Sequence, residues 1–411
     1  MPGDYAFDPF SDEVLERGPE AFAELARHTP TYRYRGRFDF FIESDPEYVT
    51  ERILKDAALW TAEQGFAPTS VPPGWKPRVM REDVQHTQYR VTIQRGFSPT
   101  ELLRLRGLVE EIADDLIAKM LAIPEHEGDF FQLFAMPLPA RLMCRMLGAP
   151  EERYEYYKNW ADGFFYESNN DPNPSLDVVA RRAEVTASLF ELVRARRAEM
   201  ETRGLAPDHR LIGTELPNDF ISRALCANFD GEYFADVDIT SIMTSIILGG
   251  NETTMNLIGN LLWRLLGDHR ALWERLKADP ALIEPAIEES LRLDPPVQGQ
   301  CRVPREDVDR NGVVIPAGHK VFFNVSAINR DPAVWDDPEE FRLDRPPAQA
   351  RRHGSFGGGI HMCLGMNLVR MEVKLAFEKL LKAFPNLRIA GETRRSPGFS
   401  IWGKNRLPVA W

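Results

Sequence analysis

The sequence predicts a mainly α-helical protein with a minor β portion, organised as one domain over residues 1–411. Three observations predict it. Apolar residues recur at helical spacing over long stretches, alternating strand patterns are few, and Pro and Gly punctuate the chain at short intervals instead of collecting at one boundary. Hydrophobic residues make up 43% and aromatic residues 10%, enough for a large core and incompatible with global disorder.

Taken in order, the pattern opens with a helix over roughly 12–28 and a strand region from Thr31 to Ile42. Glu63 to Asp83 carries four prolines and no period, so it reads as a long ordered loop, a type that is often functional. Ser98-Pro99-Thr100-Glu101 marks the clearest helix start. Ser98 suits the N-cap, Pro99 the first helical position, and Glu101 completes a capping box. Leu102, Leu105, Val109, Ile112, Leu116 and Met120 then form its buried stripe. Further helices are expected over 178–202, 270–293 and 364–384, with short strands at Gly312 to Ile315 and Lys320 to Asn324. Asp236 to Leu266 reads as one long helix, ~45 Å at 1.5 Å per residue, enough to cross the domain.

Composition excludes several function classes. Fifty basic against 62 acidic residues give a net charge of −12, which disfavours a general nucleic-acid-binding surface. Cys144, Cys226, Cys301 and Cys363 are at least 62 residues apart, so there is neither a paired zinc spacing nor a disulfide framework. The acidic N-terminal stretch has no signal-peptide pattern, and no apolar run reaches membrane-spanning length. A reducing cytoplasm is the expected location.

Two segments carry chemistry. Gly249-Gly250-Asn251-Glu252-Thr253-Thr254 breaks helix-forming rules in the middle of the long helix, where each glycine costs ~1 kcal/mol relative to Ala. Small residues there let a flat group approach the backbone, and Glu252 and Thr253 set a proton carrier beside a hydroxyl. A close helix–helix crossing accounts for the glycines equally well. The second segment, Phe356-Gly357-Gly358-Gly359-Ile360-His361-Met362-Cys363-Leu364-Gly365, has three glycines on an unusual backbone path and a cysteine at a helix entrance. Unsatisfied N–H groups at a helix start favour a thiolate. Such a sulfur can ligate iron, act as a nucleophile, or sit buried as a small hydrophobe.

Phe356 to Gly365 matches F-x-x-G-x-H-x-C-x-G at every fixed position and thereby resembles the haem-ligand loop of the cytochrome P450 monooxygenases. Gly249 to Thr253 is similar to that family's G-G-x-[D/E]-T stretch, and Glu289-Ser290-Leu291-Arg292 to its E-x-x-R, 74 residues before the cysteine. The three occur in the family's order, and the resemblance covers nearly the whole chain.

The resemblance implies haem b held between the long central helix and the cysteine helix, with Cys363 as proximal thiolate ligand to the iron. Sulfur ligation favours O–O cleavage where oxygen carriers use histidine. It implies that Gly249, Phe356 and Gly365 lie against the haem, and that His86, Arg90, Arg302 and His361 contact its propionates. Thr253 and Glu252 would be the catalytic pair, the first holding a hydrogen bond to dioxygen or water and the second relaying protons. Glu289, Arg292 and Arg345 would form a buried structural set behind the cysteine loop. Substrate contacts would include Phe165, Ile242, Ser245, Ile246, Val297, Gln298 and Ile401, from mostly apolar and aromatic segments that suit a small-to-medium hydrophobic molecule. Ser245 is also expected to bond back to its own helix, and the glutamines to face outward.

The implied reaction inserts one oxygen atom from dioxygen into substrate, with electrons from NAD(P)H through a separate ferredoxin and its reductase. A basic patch including Arg81, Arg95, Arg104, Arg351 and Arg352 would steer an acidic ferredoxin to the thiolate side. Neither nucleic acid nor membrane is an expected partner. Two other classes keep the haem: a sensor or carrier without turnover, and a peroxide-driven or non-redox enzyme. Neither needs the acid–alcohol pair that Glu252 and Thr253 supply.

Overall fold

The computed structural model describes residues 6–69, 77–168, 171–172, 175–267 and 269–411. Helices dominate. The largest core cluster is built from Pro99–Leu121, Pro137–Leu147, the central helices, Ile283–Leu293 and Met366–Ala383. The predicted stripe of the first of these is realised, with Leu105, Val109, Ile112, Leu116 and Met120 all buried. Ser98 caps it by accepting from the Glu101 N–H at 3.4 Å. The reciprocal half of the capping box is not made. The Glu101 carboxylate instead accepts from Asn218 and Arg104 and pairs with Arg223.

Three expected helices are divided, each where the backbone loses its ladder. Gly18, at φ +49°, separates Asp12–Arg17 from Pro19–His28. Asp279 and Pro280 separate Arg270–Ala278 from Ile283–Leu293. The central helix is two segments, Asp236–Gly250 and Glu252–Leu266, meeting at Asn251. The break falls in the glycine–threonine stretch, where intrinsic helix preference is weakest. The other two expected helices are continuous, as Leu176–Thr202 and Met366–Ala383.

Among the described residues the β portion comprises a five-stranded sheet, a three-stranded sheet and three two-stranded ribbons. The expected strand region folds as a hairpin, Thr31–Arg35 against Asp39–Glu43. Val321–Asn324 then runs parallel to the second strand and antiparallel to Gly299–Pro304, and Trp60–Thr61 closes the edge. Two aromatic-rich clusters pack on this sheet. From Glu63 to Asp83, residues 70–76 lie outside the described residues. The remainder includes one turn of 3-10 helix, Arg78–Met80, anchored by an Arg78–Asp238 ion pair at 2.9 Å to the start of the central helix. Among the described residues, no helix is long and apolar enough to cross a membrane.

Candidate functional site

Two glycines shape the cysteine loop. Gly357 and Gly359 sit at φ +65° and +63°, backbone that L-residues rarely adopt, and a Cβ on Gly359 would lie 2.0 Å from the Leu54 carbonyl oxygen. Gly358 between them is extended. This path turns the chain back so that the Cys363 N–H donates to Phe356 O at 3.0 Å. Phe356 is capped by the Arg370 guanidinium, 4.6 Å from its ring centre. The cysteine helix begins at Met366, and the backbone N–H groups of Gly365 and Met366 at its entrance favour the charged form of the Cys363 sulfur.

Cys363 is exposed, in contrast to the three other cysteines, which are buried. Enough protein surrounds it that desolvation pushes its thiol up, against the opposing N–H of Gly365 and the charges of Arg90 and Arg370. The helix-entrance N–H groups and both guanidinium charges favour the thiolate expected from sequence, and desolvation opposes it. A desolvated sulfur needs a cation beside it.

Helix Val84–Gln94 ties this loop to the central helix through consecutive residues. Tyr89 Oη lies 3.2 Å from Ser245 Oγ, and Arg90 donates to Met362 O at 2.9 Å. Ser245 also donates to Ile242 O at 2.8 Å, the expected bond back to its own helix. One turn later Gly249 is exposed, and a Cβ there would meet no atom within 4 Å. Thr253 Oγ1 donates to Gly249 O at 2.8 Å. Glu252 next to it is fully buried, accepts from the Tyr166 hydroxyl, and lies 3.4 Å from Lys158 Nζ. Burial pushes its carboxyl up to about 7, with the Lys158 charge opposing.

The predicted basic set does converge. The His86 and His361 rings are 4.6 Å apart, and burial pushes His86 down to about 4. Arg302 is buried between the rings of Phe66 and Phe323, each 5.3 Å away, and donates to the carbonyl of Cys301. Burial pushes its guanidinium down to about 10. Among the described residues neither Arg90 nor Arg302 has a carboxylate within 4 Å, and His361 Nε2 makes no hydrogen bond. The carboxylate facing His361, Glu82 at 3.5 Å, already accepts from Thr61, the Ala62 N–H and Arg305. Sequence reasoning passed over Glu82. Two guanidinium groups without a carboxylate partner, half-buried Arg90 and buried Arg302, beside an exposed cysteine fit a flat group that carries two carboxylates and a metal cation.

The sequence matches the Cytochrome P450 family over residues 34–395. The chain belongs to the cytochrome P450 family. It is similar to the cytochrome P450 monooxygenase PikC of Streptomyces venezuelae, 31% identical over 331 residues covering 80% of this chain and 74% of that protein. Erythromycin C-12 hydroxylase of Saccharopolyspora erythraea is 29% identical over 87% of this chain and 86% of its own. In structure it resembles the polyketide-synthase P450 PksS of Bacillus subtilis 168, with a TM-score of 0.83, 25% identity, and coverage of 98% and 99% of the two chains. The protein is accordingly a P450 monooxygenase, a haem-iron oxidoreductase of a family served by redox partners.

The other predicted residues of this P450 divide into several groups. Glu289 accepts both guanidinium N–H groups of Arg292 at 2.9 Å, Arg345 Nε at 3.0 Å and the Arg342 N–H at 2.9 Å, all at buried positions except Arg342. Val297 and Ile401, 104 residues apart, form a β-bridge. Gln298 is buried and donates to Phe399 O at 2.7 Å, which corrects the expected outward orientation. Ile242 and Ile246 are packed in the main core, and Phe165 is half-buried against Phe164. In the proposed basic patch, Arg81 is paired with Asp83 and Arg104 with Glu101, so they contribute little net charge, while Arg95, Arg351 and Arg352 are exposed. Tyr166 and Lys158 are partners of Glu252 that sequence reasoning missed as such. They lie 86 and 94 residues from it, and nothing local marks them.

Proposed function

We propose that the chain is a single-domain, cytoplasmic haem-thiolate monooxygenase that hydroxylates, or similarly oxidises, a small-to-medium hydrophobic substrate. Its electrons come from NAD(P)H through a separate ferredoxin and reductase. The observation that carries this reading is the exposed Cys363 together with the converging basic residues His86, Arg90, Arg302 and His361, of which Arg90 and Arg302 have no carboxylate within 4 Å among the described residues.

Bound haem b supplies the oxygen-activating chemistry, one atom of dioxygen going to substrate and the other to water. Cys363 binds the iron as thiolate, and the N–H groups of Gly365 and Met366 stabilise its charge. Arg90, Arg302, His86 and His361 bind the propionates, and Gly249 and Phe356 leave or fill space against the ring. Thr253 Oγ1 donates back to Gly249 O, which leaves its lone pairs to accept from a proton donor. Glu252, held near neutrality by burial, gives and regains a proton at its carboxylate at physiological pH. Val297, Ile401 and Phe165 supply apolar side chains for substrate contact, Ile401 buried and the other two half-buried. Exposed Arg95, Arg351 and Arg352 supply the docking charge for an acidic ferredoxin.

Reduced and exposed to carbon monoxide, the purified protein is expected to give the spectrum of thiolate ligation. A colourless sample or an imidazole-type spectrum overturns the reading. With a ligand found by spin-state titration and a surrogate ferredoxin and reductase, Thr253→Ala is expected to keep consuming NAD(P)H but divert it to hydrogen peroxide. Coupling to product equal to that of the unaltered enzyme refutes the assigned acid–alcohol pair.

A further inference from the structure

Glu252 is fully buried while Gly249, three residues earlier, is exposed, and its carboxylate is held by groups from outside its own helix. Oε1 accepts from the Tyr166 hydroxyl. Oε2 accepts no hydrogen bond among the described residues and faces Lys158 Nζ at 3.4 Å. Both partners come from one stretch, the helix Tyr154–Asp162 and the π-helical turn Gly163–Ser168. Lys158 is also paired with Asp162, whose side chain is 35% exposed, so the chain Glu252–Lys158–Asp162 ends at solvent.

Tyr166 has a second neighbour. Its Oη is 3.1 Å from Ser396 Oγ on the C-terminal side of the molecule. The single phenolic hydrogen goes to the carboxylate, so this second bond runs from the serine hydroxyl to the tyrosine oxygen. Burial and the Glu252 charge push the Tyr166 hydroxyl well above its usual range, which keeps it a donor. Three remote segments thus converge on one acid: the central helix, the 163–168 turn and the C-terminal region. Packing alone does not require this, since phenylalanine fills the same space. A buried donor–carboxylate bond is far more directional than an apolar contact.

We propose that Tyr166 is the positioning residue of Glu252. Its hydroxyl, braced by Ser396, fixes where the carboxylate points and so how efficiently it passes protons from the Asp162–Lys158 surface toward Thr253. Each proton that leaves Glu252 is replaced by one from the Lys158 ammonium, which regains its own from water by way of Asp162. This inference rests on the role assigned above to Glu252 and Thr253.

Tyr166→Phe in the holoenzyme tests it in two ways. The first readout needs no turnover: the Glu252 carboxyl band is followed by infrared difference spectroscopy against pH and assigned by its loss in Glu252→Gln. The groups facing this carboxyl are Lys158, Asp162 and Tyr166, with Ser396 behind the tyrosine. Removing a donor to the charged form is expected to raise the midpoint by about one pH unit. The second readout is hydrogen peroxide released per NAD(P)H, with a spin-state-selected ligand and a surrogate ferredoxin and reductase. It is expected to rise several-fold in Tyr166→Phe, with an unchanged carbon monoxide spectrum, and Tyr166→Phe is expected to add nothing in a Glu252→Gln background.

An unmoved midpoint, or an equal added loss in the Glu252→Gln background, overturns the proposal. If Tyr166→Phe does not fold, Ser396→Ala carries the same test, with a smaller shift in the same direction. The two readings fail separately. Intact coupling in Thr253→Ala defeats the acid–alcohol assignment itself, whereas uncoupled Thr253→Ala with an unaffected Tyr166→Phe defeats only the positioning role.

Discussion

Replacing Glu289 by glutamine changes one oxygen to an amide NH2 and removes one charge at the most heavily hydrogen-bonded carboxylate behind the cysteine loop. Its Oε1 accepts from Arg292 Nε and Arg345 Nε, and its Oε2 from Arg292 and the Arg342 N–H. Whichever way the glutamine amide is turned, its NH2 points at two donors, so two of four bonds are lost. Two guanidinium groups also remain with no carboxylate between them. A bond to a charged group is worth ~1.5–3 kcal/mol, and breaking a buried pair by removing one partner costs ~3–5 kcal/mol in total. The expected loss is therefore ~3–5 kcal/mol.

Replacing all three side chains by apolar ones does not restore this stability, although it often does for buried ion pairs. Arg292 and Arg345 also donate to the carbonyls of Asn329, Pro338, Glu340, Asp336 and Asp337, which would be stranded together. The strain reaches the haem loop, because Asn329 accepts from the Gly354 N–H at 2.7 Å and donates to Ser355. Urea unfolding of the holoenzyme, followed by the haem absorption band, measures the loss. A Glu289→Gln variant within about 1 kcal/mol of the parent would refute this account of the clamp.

Further outcomes follow from the same physics. Glu372 is buried on the cysteine helix, its Oε1 has no hydrogen-bond partner, and burial pushes its carboxyl from 4.5 up to about 8. A folded-state value raised in this way makes the ionised acid a cost. The cost is absent below about 4.5, grows as pH rises, and is complete above about 8, where it is on the order of 5 kcal/mol. Glu372→Gln should thus gain stability over the parent between pH 5 and 8.5 in urea titrations, and parallel pH profiles would contradict the assignment. Gly359→Ala combines a left-handed φ with a Cβ 2.0 Å from the Leu54 carbonyl oxygen, so it should cost more than ~1–2 kcal/mol and reduce haem retention in the purified protein. Gly357→Ala has equal φ strain but open space around its Cβ, so it should cost less, and an equal loss would show that the Leu54 contact is unimportant.

How much was legible differs from element to element. The Ser98 cap, the stripe after it and the cysteine loop are written in consecutive or helically spaced residues, because capping, helical period and positive φ act over a few positions. Helix ends at Gly18 and Pro280 were missed where apolar spacing continues across a residue that breaks the ladder. The single strand region from Thr31 to Ile42 is a hairpin, since Gly36 to Phe38 turns the chain where alternation alone shows no boundary. The set at 86, 90, 302 and 361, proposed to hold the propionates, is marked only by family resemblance. Seen singly, each is an ordinary surface residue type, and its convergence comes from long-range packing.

By itself, the sequence determined the helical class and the ordering of its motifs and singled out Cys363 as the proposed sulfur ligand, because each is encoded in short-range covalent geometry and residue type. The fold alone decided that Glu101 leaves its cap for Asn218, that Gln298 turns inward to Phe399, and that Tyr166 reaches Glu252. Each of these is a competition for hydrogen-bond partners among groups distant in the chain. Its winner depends on which desolvated donors and acceptors are brought within about 3 Å, a quantity that no local window contains.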